Sequence, residues 1–341
     1  MLAIWMLVAA VSASPKPGEL KSFDDWAVGC DNSRSCTAVS LMEMESGENQ
    51  LTLQVIRGPN ATDIARLRIP NVEARGGDND VTLIRDGVQR ITSAPLPADG
   101  APLELQLSPV LLSALKSGLT LELRDTRGES LGSASLKGVR AALGHMDDLQ
   151  LRAGTVTALE KTGPLPPAAM PAPPAIPNVV AMRPGKPANQ RLSREDVANL
   201  QARIGCDISG DPSLPVDAVR IDRRHWLALI PCGSGSYNFM TAPILVSGSG
   251  KGRKMKPADF DFPPLATGGN GSVPVLANAS WDNARGELVS FAKGRGLGDC
   301  GAAETYVWAS RKFRLQTRSV MEECRGVLDW IPTWRVNVIR R

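Results

Sequence analysis

LELQLSPVLLSALKSGLTLEL, residues 103–123, holds the reading of the fold in miniature. Its two ends, Leu103-Glu104-Leu105-Gln106-Leu107 and Leu119-Thr120-Leu121-Glu122-Leu123, alternate apolar and polar side chains. Successive side chains of an extended chain point to opposite faces, so this pattern buries leucines on one side of a sheet. Between the ends, Ser108 and Pro109 open a short helix carried through Leu111, Leu112 and Leu115. A serine hydroxyl accepts from an early helical N–H, and proline lacks the N–H that a first turn leaves unpaired.

The same alternation recurs on both sides. Residues 51–56, 65–69 and 81–84 read as strands before it, and Ser135 is expected to cap a second helix whose face is Leu136, Val139, Leu143 and Met146. Further along, residues 226–230, 242–246, 273–276, 288–291, 306–308 and 313–315 read as strands separated by turns such as Asn283-Ala284-Arg285-Gly286 and Ser310-Arg311-Lys312. A helix from Ser193 to Gly205 precedes them. Asp196 stands three residues after the Ser193 cap, and Leu192 can pack on Val197.

Residues 163–190, GPLPPAAMPAPPAIPNVVAMRPGKPANQ, interrupt these strands with proline and alanine and no periodicity. Such a stretch is extended and cannot form a core. The expected architecture is therefore mainly β with a minority of helix. An antiparallel β-rich domain with two helices (19–160) and a second with one leading helix (191–341) are joined by a linker over 161–190. Charge divides at the same place: residues 15–160 carry 15 basic and 20 acidic side chains, residues 161–341 carry 24 and 15.

Residues 1–13 predict the compartment. The apolar run Leu2–Val11 is too short to span a bilayer and is followed by Val11-Ser12-Ala13, so a signal peptide cut near Ala13 and a periplasmic location are expected. Cysteine placement agrees with export. Six cysteines admit 15 pairings in principle, and loop-closure entropy favours the local ones, Cys30–Cys36, Cys206–Cys232 and Cys300–Cys324. Neither a Cys-x-x-Cys pair nor clustered histidine is present to suggest zinc or redox chemistry.

Other motifs fail in context. Gly296-Leu297-Gly298-Asp299-Cys300-Gly301 has the spacing of a dinucleotide fingerprint, but residues 302–308 read as a strand rather than the helix such a site needs. His225 lies three residues after Asp222, a spacing that puts the two on opposite faces of a strand, and His145 sits near a helix end; neither suggests a triad. No cofactor, metal or catalytic residue is expected.

Phe23-Asp24-Asp25-Trp26-Ala27-Val28-Gly29-Cys30-Asp31-Asn32 with Cys36 resembles the opening signature of the exported proteobacterial family known as domain of unknown function 1176. Leu229–Asn238, Lys293–Gly301, Glu323-Cys324-Arg325-Gly326, Trp330 and Trp334 come after it in the family's order. The first domain is similar, more remotely, to the invasion-associated locus B family. The resemblance implies an exported protein of Gram-negative bacteria and brings no catalytic residue with it.

Two polar features remain as candidate surfaces. Arg295, Asp299, Glu323 and Arg325 gather around the Cys300–Cys324 bridge and, together with Trp334, form the expected binding surface. Lys251, Arg253, Lys254 and Lys256 make a basic, glycine-rich hairpin tip suited to weak contact with an anionic surface. The expected function is a non-catalytic binding module for an envelope protein or polymer, with no nucleic acid and no membrane anchor. The alternative is a cell-envelope hydrolase using Asp299 and Glu323 as its carboxylate pair.

Overall fold

A computed structural model of the chain describes residues 14–43, 49–72, 80–97, 100–183, 189–206, 216–264, 266–268 and 273–341. The expected signal segment, 1–13, lies outside the described residues.

The two alternating ends of residues 103–123 go to different sheets. Leu103–Gln106 closes a six-stranded antiparallel sheet ordered Leu20–Phe23, Trp26–Cys30, Cys36–Ser40, Gln54–Arg57, Arg66–Ile69, Leu103–Gln106. Thr120–Asp125 instead enters a four-stranded sheet, between Ser130–Ser135 and Asp80–Arg85, with Gln89–Pro95 beyond. The helix between them, α1 (Pro109–Ser117), makes the crossover, and the Ser108 hydroxyl accepts from the Leu111 N–H at 3.2 Å. Leu103, Leu115, Leu121 and Leu123 then meet in one core with Trp26, Leu67 and Leu83.

The second helix, α2 (Val139–Leu149), starts later than expected. Ser135 ends a strand, and its hydroxyl donates to Asp25 at 2.7 Å rather than capping. Gly138 precedes the helix with φ at 93°, a left-handed conformation in which a β-carbon would overlap the Phe23 carbonyl. The expected apolar face is nonetheless present: Leu136, Val139, Leu143 and Met146 are all buried. Behind α2, Arg57 pairs with Asp147 at 2.7 Å, both fully buried, while Asp147 also accepts the Leu159, Glu160 and Lys161 N–H groups.

In the rest of the chain, α3 (Arg194–Ile204) carries the expected Ser193–Asp196 capping box and ends at Gly205, which is left-handed. A seven-stranded sheet is ordered Asn189–Leu192, Val216–Arg220, His225–Ser234, Phe239–Ser247, Val273–Ala277, Ala266–Gly268, with Lys254–Pro257 also on Phe239–Ser247. A five-stranded sheet runs Ser280–Asp282, Glu287–Lys293, Gly301–Ala309, Lys312–Met321, Ile331–Arg335. Within the proline-rich segment, Asn178–Ala181 pairs in parallel with Asn337–Arg340. The fold is thus mainly antiparallel β with a minority of helix.

The disulfides pair as the spacing argument expects: Cys30–Cys36, Cys206–Cys232 and Cys300–Cys324. The residues before 160 and those after 300 also share a core. Ala27, Val39 and Leu41 pack with Met321, Val327, Trp330 and Ile331, and this seam positions the candidate site.

Candidate functional site

Asp299 is 1% exposed and is held from two sides. Arg295 grips it through both oxygens, Nε to Oδ1 at 2.8 Å and Nη2 to Oδ2 at 2.5 Å, and the Gly326 N–H donates at 2.7 Å. The Arg295 guanidinium therefore holds its carboxyl at about 2, against the opposing effect of burial. A group ionised throughout the neutral range has no proton to give, so the arrangement is that of a structural ion pair. Glu323 makes no side-chain ion pair or hydrogen bond among the described residues.

Arg325 reaches across the seam. Its Nη2 donates to Asp25 at 2.7 Å, Nε to the Met42 carbonyl at 2.8 Å and Nη1 to the Asp24 carbonyl at 3.2 Å. Burial opposes ionisation of Asp25, yet hydrogen bonds from Arg325 and Ser135 hold its carboxyl below the ordinary carboxylate range. Beside Arg325, Gly326 has φ at 77°, and a β-carbon there would overlap the Met42 side chain. Three of the five expected surface residues are thus fasteners, and Trp334 belongs elsewhere.

Trp334 lines a groove of about 530 Å³ on the seam, whose walls come from both ends of the chain. One wall carries Thr37, Gln54, Ile56 and Arg68, and the other carries Trp330, Pro332, Trp334 and Arg335. Every charge on the lining is matched. Arg335 pairs with Asp31 at 2.7 Å, and Arg68 pairs with Asp329 at 2.7 Å while donating to Gln54 at 2.6 Å. Asn32 locks the seam by donating to the Arg335 carbonyl at 3.1 Å and accepting its N–H at 2.9 Å. Trp334 donates its indole N–H to the Leu315 carbonyl at 3.2 Å. Trp330 stacks on Phe291 with centroids 4.6 Å apart, and its own indole nitrogen has no acceptor among the described residues. Sequence reasoning misses this groove because Asp31, Arg68 and Asp329 are far apart in the chain; only Trp334 points to it.

The glycine-rich GxGxxG segment leads into the strand Gly301–Ala309, as expected, and not into a helix. In the basic tip, Arg253 is drawn onto Asp196 at 3.0 Å and Lys256 onto Asp259 at 3.1 Å, while Lys254 is exposed. The side chain of Lys251 lies outside the described residues. One expectation is overturned. The strand begins at His225, so Asp222 lies in the turn before it, and the carboxylate sits 3.0 and 2.8 Å from His225 Nδ1 rather than on the opposite face.

No helix among the described residues is long and apolar enough to cross a membrane, and no group of three or more His, Cys, Asp or Glu among them could hold a metal ion. A β-rich, disulfide-bearing chain with a cleft on a packed seam is the class these features define. Residues 20–337 match the model of a family described as a protein of unknown function, DUF1176, and the chain belongs to that family. It is 29% identical over 339 residues to the uncharacterized protein YpfG of Escherichia coli strain K12, covering 92% of each chain. It also has a remote likeness in shape, with a TM-score of 0.30 and 15% identity, to the crystal structure of invasion associated protein B from Bartonella henselae, covering 39% of this chain and 99% of that one.

Proposed function

We propose that this chain is an exported, non-catalytic binding protein of the cell envelope, and that the seam groove receives a neutral, hydroxyl-rich ligand of the oligosaccharide type. The observation that carries the reading is the groove's lining, two indole rings beside charges that already neutralise one another. Aromatic faces supply apolar contact area, and fixed polar groups supply orientation, which is how small-ligand clefts of about 300–1,000 Å³ are built. A lining with no net charge gives no advantage to a polyanion or a polycation.

Three disulfides support export, because such bonds persist outside the reducing cytosol. The absence of covalent chemistry is part of the proposal, supported by the engagement of Asp299 with Arg295 and Gly326. Titration with an N-acetylglucosamine tetrasaccharide, monitored by tryptophan fluorescence, tests the binding. Saturable change with intact sugar recovered is the expected result, whereas no change, or cleaved sugar, contradicts the reading. Fractionation of the host should place the protein in the periplasm.

A further inference from the structure

We propose that a second cavity, walled by the turn before His225 and the hairpin turn at Arg311, is a binding site for a phosphoryl group. The cavity has a volume of about 430 Å³, and its lining includes Arg223, Arg224, His225, Lys256 and Arg311 against the single acid Asp222. That acid makes no ion pair with the arginines, because its oxygens are turned to other donors. Asp222 accepts the Arg224 N–H at 2.7 Å, the His225 N–H at 2.8 Å and the Trp308 indole N–H at 2.7 Å, and it contacts His225 Nδ1 at 2.8 Å. Burial works against its charge, but these donors outweigh burial and keep the carboxyl below its ordinary range, so it stays an anion serving its own turn.

The guanidinium groups of Arg223, Arg224 and Arg311 have no acidic partner among the described residues. Lys256 has only the exposed Asp259, a pair that water screens. Cations gathered without acids repel one another, and an incoming anion relieves that repulsion. Arginine forks match the oxygens of a phosphoryl group, which take two parallel hydrogen bonds from one side chain. The positions are built beforehand. Ser310 and Arg311 hold φ at 51° and 64°, the left-handed turn that joins Gly301–Ala309 to Lys312–Met321, and this fixes where Arg311 leaves the backbone. His225 is held against Asp222 through Nδ1, and Trp308 stands beside the ring with centroids 5.6 Å apart.

The phosphoryl group could belong to a soluble phosphomonoester or to a lipid headgroup, and one experiment separates them. The disulfide-intact chain is titrated calorimetrically with glycerol 3-phosphate, with glycerol as the control, and is sedimented with phosphatidylglycerol or phosphatidylcholine vesicles. Saturable heat with glycerol 3-phosphate and none with glycerol is expected. Arg224→Gln and Arg311→Gln should each weaken affinity about tenfold, from loss of a charge-assisted hydrogen bond, while Lys137→Gln, at an exposed lysine before α2, leaves it unchanged. Thermal melts check that the variants remain folded. Sedimentation with phosphatidylglycerol that both arginine variants abolish assigns the group to a headgroup; protein left in the supernatant assigns it to a soluble ester. No saturable heat, or arginine variants that bind like the parent chain, overturns the site.

Discussion

The seam groove and the basic cavity use the same side chains to opposite ends. In the groove, Arg68 and Arg335 each meet an aspartate at 2.7 Å, so their charge is spent in holding the chain together. In the cavity, Arg223, Arg224 and Arg311 meet none among the described residues, and the nearby aspartate is satisfied by its own turn. A paired arginine fastens a fold and leaves neutral polar surface behind. An unpaired arginine adds little to stability and leaves a field for an anion. Residue type alone does not distinguish them; the partners do.

If pairing makes an arginine a fastener, the most buried pair should be the most costly to break. Arg57→Ala leaves Asp147 charged inside the protein and should lower stability by about 3–5 kcal/mol in urea denaturation. Asp299→Asn comes next. The carboxyl is held at about 2 against an ordinary 3.8, so its contribution, about 2 kcal/mol, is present above pH ~4 and is lost as pH falls towards 2. The variant should be less stable at neutral pH and should have a flatter acid limb; an unchanged limb would show that the Arg295 pair does not set it.

Within the groove, Trp334→Ala removes an aromatic wall and should weaken tetrasaccharide affinity about tenfold, measured by calorimetry. The smallest effect on stability belongs to the cavity. Arg311→Gln should shift the folding free energy by no more than about 0.5 kcal/mol, since no acidic partner is lost, and a larger loss in a thermal melt would reveal a pairing that contradicts the contrast.

Local rules in the sequence place most of the elements. The Ser108-Pro109 start, the Ser193–Asp196 box and the period-2 leucines depend on neighbours a few residues away, and they reappear in place. The start of α2 departs from expectation because Ser135 finds a tertiary partner in Asp25, a competition that local capping rules do not contain. The Asp222–His225 contact is hidden from the sequence because the strand starts only at His225, which leaves Asp222 in a turn that folds its carboxylate back onto the ring instead of across a strand. Arg295, Asp299 and Arg325 are legible as a polar cluster, but their partners Gly326, Asp25 and Met42 turn them inward. The groove needs the seam, and no spacing in the chain encodes Asp31 meeting Arg335.

Six of the seven tryptophans lie after Ala13 and give six separate indole N–H reporters in a proton–nitrogen correlation spectrum of the mature chain, three of them in informative places. Trp330 and Trp334 line the groove, while Trp308 hydrogen-bonds Asp222 beside the basic cavity. Adding the N-acetylglucosamine tetrasaccharide should move Trp330 and Trp334 and leave Trp308 in place; adding glycerol 3-phosphate should move Trp308 alone. Signals that respond to neither ligand, or that move together with either, would contradict a division of binding between a neutral groove and a cationic cavity.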